Sequence, residues 1–408
     1  MATESLFQQL NKPAENNISV ANETLTALTE QDDPEGDDVV DVDGELVELN
    51  ADTVDIDRDI EQLNAAADTA DEIVGAIEAF AAEGGMTRQT ATLLRAQLTG
   101  LFSTIGMSNE VIALEAFDSE DDRLTSTQAA LEGVKEFAKE TWEWIKKMIG
   151  ALVNRVKAIW QKLTVNFKRL INKLYALSEH YGNTAELKKG RTEQKFTGLS
   201  GCYTGSKFDV RATINKLKGT SNEIKASCTR ITEFCSELAI TSCVAPNDHV
   251  AKTLKLLSEK AMTIKDVATL PNGVKLGVEV QTKTVRETEI ASTIVPVISK
   301  FDAKNAGSVT IKLEKTTNDY IQDTRRLILI VEDYKAMNDH VHRLLDNLDR
   351  AIKAPLKKPG YKFEMRLART GAGVISGYMS ALSKFQVPLY RCYSDNVKAL
   401  TKLLSNYK

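Results

Sequence analysis

Three short phrases in this 408-residue chain share one composition: Ala76-Ile77-Glu78, Ala113-Leu114-Glu115 and Ala130-Leu131-Glu132. Each sets a small residue, an aliphatic residue and a Glu in a row, and Ala79, Ala116 and Gly133 follow them. The recurrence raises the question of whether another protein reads the phrase, the chemistry then being proteolysis done to the chain. Phrases of this kind also occur at Ala81-Ala82-Glu83 and Ser221-Asn222-Glu223, where a folded helix is expected to hide the second.

Residues that could do chemistry themselves do not assemble in the sequence. His340 and His342 stand two apart on a predicted helix, so they do not share a face and cannot easily chelate one metal; His180 and His249 stand alone. Gly371, Gly373 and Gly377 lack the preceding strand and the spacing of a phosphate-cradling loop, so they read as a helix start or a packing contact. The acidic stretch around Asp41-Val42-Asp43 has Val39 and Asn50 where a calcium loop needs its first and last carboxylates. Cys202, Cys228, Cys235, Cys243 and Cys392 are odd in number and lack zinc-knuckle spacing, and read as buried free thiols. The expectation is therefore a protein that is not an enzyme and uses no cofactor or metal.

Charge is divided unevenly along the chain. Residues 1–132 carry 30 Asp and Glu against 5 Lys and Arg, whereas residues 133–408 carry 27 against 47, so a net charge of −5 conceals parts of −25 and +20. Such asymmetry points to a segment with its own task. The break falls on the repeated phrases: a cut after Glu115 would leave a product of +16, and one after Glu132 a product of +20. No apolar run reaches the length of a membrane span. The first residues, Met1 to Asn17, lack the basic flank and apolar stretch of a secretory signal, which predicts a protein made and kept in a reducing cytoplasm.

The elements that carry these residues read as follows. Residues 1–57 are too acidic and too poor in aromatics to bury a core and are expected to form a disordered leader. Residues 58–107 predict an acidic helical hairpin, with Gly84-Gly85 ending its first helix. Residues 108–132, rich in Ser, Thr and Asp, predict an exposed linker of the kind proteases reach. Residues 133–408 predict a basic, mainly α domain: a helical bundle with long amphipathic helices and a small β-hairpin or sheet near 195–205 and 270–285. In it, Val274, Leu276, Val278 and Val280 alternate as a strand should, with residues 195–205 as a possible partner. Long helical patterns cover residues 211–239 and 309–356, and a last helix runs from about Gly377 to Tyr407.

The longest pattern starts at Leu131 and runs to Gly182, with apolar residues three and four apart for more than ten turns. Lys146, Lys147, Arg155, Lys157, Lys162, Lys168, Arg169 and Lys173 occupy much of its remainder, and Trp142, Trp144 and Trp160 lie on it too. Three uses stay open: a helix packed in a bundle with solvated lysines, a face that neutralises nucleic-acid phosphates, and an interfacial helix on an anionic membrane.

The acidic leader, the three phrases and the basic Trp-bearing helix together resemble the internal head proteins of large tailed bacteriophages, over roughly residues 60–180. The resemblance implies a structural virion protein that a leader directs into the assembling prohead beside capsid or prohead core proteins. It implies that a phage maturation protease cuts after Glu78, Glu115 or Glu132, and that the product stays in the capsid interior beside double-stranded DNA, from where it can be injected into the host. From the residues, the basic product is expected to bind DNA without sequence preference and the acidic part to weaken that binding. The competing expectation is a membrane-active or host-directed effector that uses the basic Trp-bearing helix.

Overall fold

The computed structural model describes residues 42–105, 123–182, 185–243, 246–287, 289–301, 308–354 and 360–408. The protein is mainly α. Its first helix, α1 (Val42–Ala82), is built on an uninterrupted 3,4 spacing of small and aliphatic side chains: Leu46, Leu49, Thr53, Ile56, Ile60, Leu63, Ala67, Ala70, Val74 and Ile77, all buried. Gly84 and Gly85 end it with φ of 100° and 109°, and the Gly85 N–H donates to the Phe80 carbonyl at 2.8 Å. α2 (Arg88–Ile105) folds back on α1, and α3 (Arg123–Tyr181) is a 59-residue rod that contains the helix expected from Leu131 onward and starts before it.

This differs from the sequence expectation at two boundaries. Residues 42–57, assigned to the leader, are the first turns of α1, and they put Leu46, Leu49 and Ile56 into the main core. Acidic composition obscured a regular apolar stripe whose partner is another part of the chain. Residues 123–132, assigned to the linker, are the start of α3. The rest of the leader, residues 1–41, and residues 106–122 of the linker lie outside the described residues.

Beyond α3 the chain alternates. The order is β1 (Glu193–Phe196), β2 (Tyr203–Thr204), β3 (Lys207–Phe208), α4 (Val210–Ser242), α5 (Pro246–Ile264), β4 (Asp266–Thr269), β5 (Lys275–Arg286), β6 (Glu289–Ile298), β7 (Val309–Lys312), α6 (Asn318–Lys353), α7 (Tyr361–Thr370) and α8 (Ser376–Leu404). A π-helical turn, Gly371–Ile375, joins α7 to α8 without a break. Asp209 caps α4, accepting from the Ala212 N–H at 2.9 Å. Three small antiparallel sheets form among the described residues: β1–β7, β2–β3 and β4–β5–β6. β1 therefore pairs with β7, not with the 275–286 strand suggested for it, and residues 309–312 are this strand rather than the start of α6.

Most residues of α8 are buried, which makes it the axis of the bundle, surrounded by α1, α3, α4 and β6. The glycine-rich turn entering α8 is a packing device. A Cβ on Gly373 would stand 2.6 Å from the Ser292 carbonyl of β6, and one on Gly377 would overlap the Ile294 carbonyl. Only glycine lets helix and strand backbones approach so closely. Cys228 and Cys235 share the buried face of α4, and all five cysteines are free thiols, Cys243 half-buried and the others buried. No described helix is long and apolar enough to cross a membrane.

Candidate functional site

The 3,4 spacing that aligns the apolar stripe of α1 also aligns carboxylates beside it: Glu45, Glu48, Asp52, Asp55 and Asp59. All but Glu45 have a cation of the basic helix α3 as partner. Arg155 donates to Asp59 at 2.7 Å and reaches Asp55 at 3.4 Å, with the Asp59 side chain only 1% exposed. Lys162 donates to Glu48 at 2.6 Å and lies 3.8 Å from Asp52. Burial holds the Asp52 carboxyl above its usual range, against the opposing pull of Lys162 and Arg155. The Tyr390 hydroxyl of α8 donates to Glu45, and its own pKa is pushed up by burial first and by that carboxylate next.

The ladder continues on other faces of α1. Asp57 pairs with Lys384 of α8 at 2.8 Å and accepts from the Ser380 hydroxyl at 2.6 Å. Glu78 pairs with Lys362 at 2.9 Å. Arg369, buried where α7 meets the π-helical turn, pairs with Asp71 of α1 and donates to Glu289 of β6 at 2.8 Å. A cavity of about 400 Å³ opens beside this triad, lined among others by Asp68, Glu72, Lys283 and Ser292. One acidic helix thus neutralises cations from α3, α7 and α8, and the pairs of Asp59 and Asp71 are withdrawn from water.

This arrangement redistributes the basic residues read from the sequence. Arg155 and Lys162 are taken up by α1, Lys157 pairs with Asp346 of α6, and Lys146 pairs with Glu143. Lys147, Lys168 and Arg169 are exposed and Lys173 is half-buried; none of the four pairs with a described carboxylate. Trp142 and Trp160 lie on the buried side of α3. They are 4% and 1% exposed, and Trp160 stacks on Tyr334 with centroids 6.1 Å apart. The indole faces supply core area because α3 has partners on several sides, which one-helix periodicity cannot reveal. Trp144, the third tryptophan of the helix, is half-buried.

The protease phrases fall in different settings. Ala76-Ile77-Glu78 is inside α1, with Ile77 fully buried. Ala130-Leu131-Glu132 and Gly133 are inside α3, where Ala130 packs in a second core cluster with Phe102, Phe137 and Met365. Ala113, Leu114, Glu115 and Ala116 lie outside the described residues. Ser221-Asn222-Glu223 is held in α4 with Ser221 buried. The sequence reading missed the carboxylate ladder, although its spacing was visible: it follows the same 3,4 rhythm as the apolar stripe.

A family model described as phiKZ-like phage internal head proteins matches residues 37–407. No curated protein and no solved structure matches the chain.

Proposed function

The chain belongs to the phiKZ-like phage internal head proteins, and from that membership of a structural family of the virion interior we propose that it is packaged as a precursor and cut by the phage maturation protease. The cut falls after Glu115. A protease binds its substrate extended, and the phrases ending at Glu78 and Glu132 would first have to unwind from α1 and α3. Prohead core or capsid proteins are its neighbours before the cut, and double-stranded DNA is its neighbour after packaging. It associates with that DNA without sequence preference and can enter the host with it.

The observation that carries this reading is the division of charge about the cut, −21 up to Glu115 and +16 after it, together with the lie of the acidic part against the basic one. Phosphates compete for the same cations that α1 carboxylates occupy, and release of counterions drives cationic protein onto DNA. Severing the chain between α2 and α3 turns retention of α1 from a matter of chain continuity into one of packing and charge.

Intact-mass measurement of the protein from purified particles, against the same chain expressed alone, tests the cut. The expected result is a species starting at Ala116 in particles only. A protein in particles that still begins at its first residues would overturn processing, and its absence from particles would overturn packaging.

A further inference from the structure

Cations that α1 does not cover gather at one end of the bundle, contributed by three segments far apart in sequence. The segment 185–195 runs against the chain end: Leu187 bridges to Tyr407, the Lys188 N–H donates to the Asn406 carbonyl at 2.9 Å, and the Lys408 N–H donates to the Glu186 carbonyl at 3.0 Å. It then forms β1, which pairs with β7 so that Glu193 stands opposite Lys312 and Lys195 opposite Thr310. The exposed face of this two-stranded ribbon carries Lys195 and Lys312, while Gln194, Phe196, Val309 and Ile311 face inward. Between bridge and ribbon is the tight turn Lys188-Lys189-Gly190-Arg191. It is closed by the Arg191 N–H on the Lys188 carbonyl at 3.0 Å, and Gly190 takes the φ of 80° that its third position needs.

Lys188, Lys189, Arg191, Lys195, Lys312, Lys315, Lys402 and Lys408 are all exposed here, against the exposed acids Glu186, Glu193 and Glu314. None of the eight forms an ion pair with a described residue. Lys188 has another task, since its ammonium donates to the Ser405 carbonyl at the end of α8 at 2.8 Å. Unpaired cations held on a closed turn and a paired ribbon repel one another, and a dense line of anions relieves that repulsion. On α3, Lys146, Arg155, Lys157 and Lys162 already have carboxylate partners, which leaves Lys147, Lys168, Arg169 and Lys173 as its cations without one, half as many as at this end of the bundle.

We infer that this end of the bundle, the 188–191 turn with the β1–β7 ribbon, is the surface that contacts the phosphate backbone of double-stranded DNA. The inference rests on the DNA association proposed above and moves the contact off the long helix. Recognition there is of charge, without base reading, so binding is strongly salt-dependent and indifferent to sequence.

The test is a fluorescence-anisotropy titration of a labelled mixed-sequence duplex with the full chain, over a salt series starting at low salt. The triple variant Lys189→Glu, Arg191→Glu, Lys195→Glu is expected to bind at least about tenfold weaker, with a salt slope smaller by about three. Lys147→Glu with Lys168→Glu on α3 is expected to stay within about threefold of the unaltered chain. Circular-dichroism melting checks the fold, and the triple Gln variant serves where the Glu variant does not fold, with a smaller loss of affinity in the same direction. An unaltered affinity in the triple variant, or an equal loss in the α3 variant, overturns this surface alone. Failure of both the full chain and the chain cut after Glu115 to bind the duplex, whether or not they bind phosphatidylserine vesicles, overturns both this surface and the DNA reading.

Discussion

His249 sits in the first turns of α5, 3% exposed, with the cations Arg366 and Arg369 facing it. Burial first, and those two guanidinium groups next, push its pKa from 6.5 down to about 4. The folded protein therefore keeps the imidazole neutral while the unfolded chain takes up a proton below about 6.5. The stability this contributes is complete above that value and is lost as the pH falls towards 4, a swing on the order of 2–3 kcal/mol. His340 and His342 are lowered as well, chiefly by burial, and act in the same direction. Asp52, Asp323 and Glu364 are raised by burial and oppose it, because protonating them relieves a cost of the folded state. Thermal melts between pH 7 and 4 are expected to show a falling melting temperature, with a shallower fall in His249→Gln. An identical slope in that variant would mean that other groups dominate the acid response.

The seam between α1 and α3 combines an apolar stripe with a carboxylate ladder, and the two parts of the ladder differ in worth. Asp59 is buried against Arg155, so Asp59→Ala leaves a half-buried guanidinium short of its counter-charge and is expected to cost about 3 kcal/mol. Lys162 and Glu48 are 46% and 65% exposed, so Lys162→Ala is expected to cost less than about 1 kcal/mol. Urea unfolding of the two variants measures the difference, and equal costs would contradict the burial argument. The same seam explains what could be read beforehand. α3 was legible because its apolar spacing persists for more than ten turns and needs no knowledge of a partner. The beginning of α1 was not, because its stripe of Leu46, Leu49, Thr53 and Ile56 is diluted by acids whose partners lie about a hundred residues further on. β1 was assigned a strand but the wrong neighbour, since pairing with β7 is a long-range choice that local alternation does not encode. Likewise Trp142 and Trp160 could be placed on a helix but not on its buried side. The spacing of the glycines of 371–377 excluded a phosphate loop and left a helix start or a packing contact, and β6, against which they pack, was not foreseen.

Across the whole molecule, α1 is shared between two cores. It gives Leu46, Leu49, Ile56, Ile60 and Leu63 to the main cluster around α8, and Ile73, Val74 and Ile77 to the cluster with α2 and the start of α3. Losing it would open a long apolar trough along α3 and α8, a surface that folded proteins rarely leave uncovered. A cut in residues 106–122 therefore leaves a nicked protein whose acidic helix stays docked, and a change of net charge requires a second, separate event. The full chain with a specific protease site engineered after Glu115 should, once cut, elute as one species in gel filtration and separate only in denaturant. The salt dependence identifies what holds it. Ion pairs such as Lys162 with Glu48 weaken as ionic strength rises, whereas burial of apolar side chains does not. Co-elution that persists at about 1 M salt, where the screening length is only about 3 Å, is the expected outcome and assigns retention to packing. Separation of the two fragments at high salt alone would make α1 an electrostatic clamp, one that packaged DNA could displace by competition for Arg155 and Lys162.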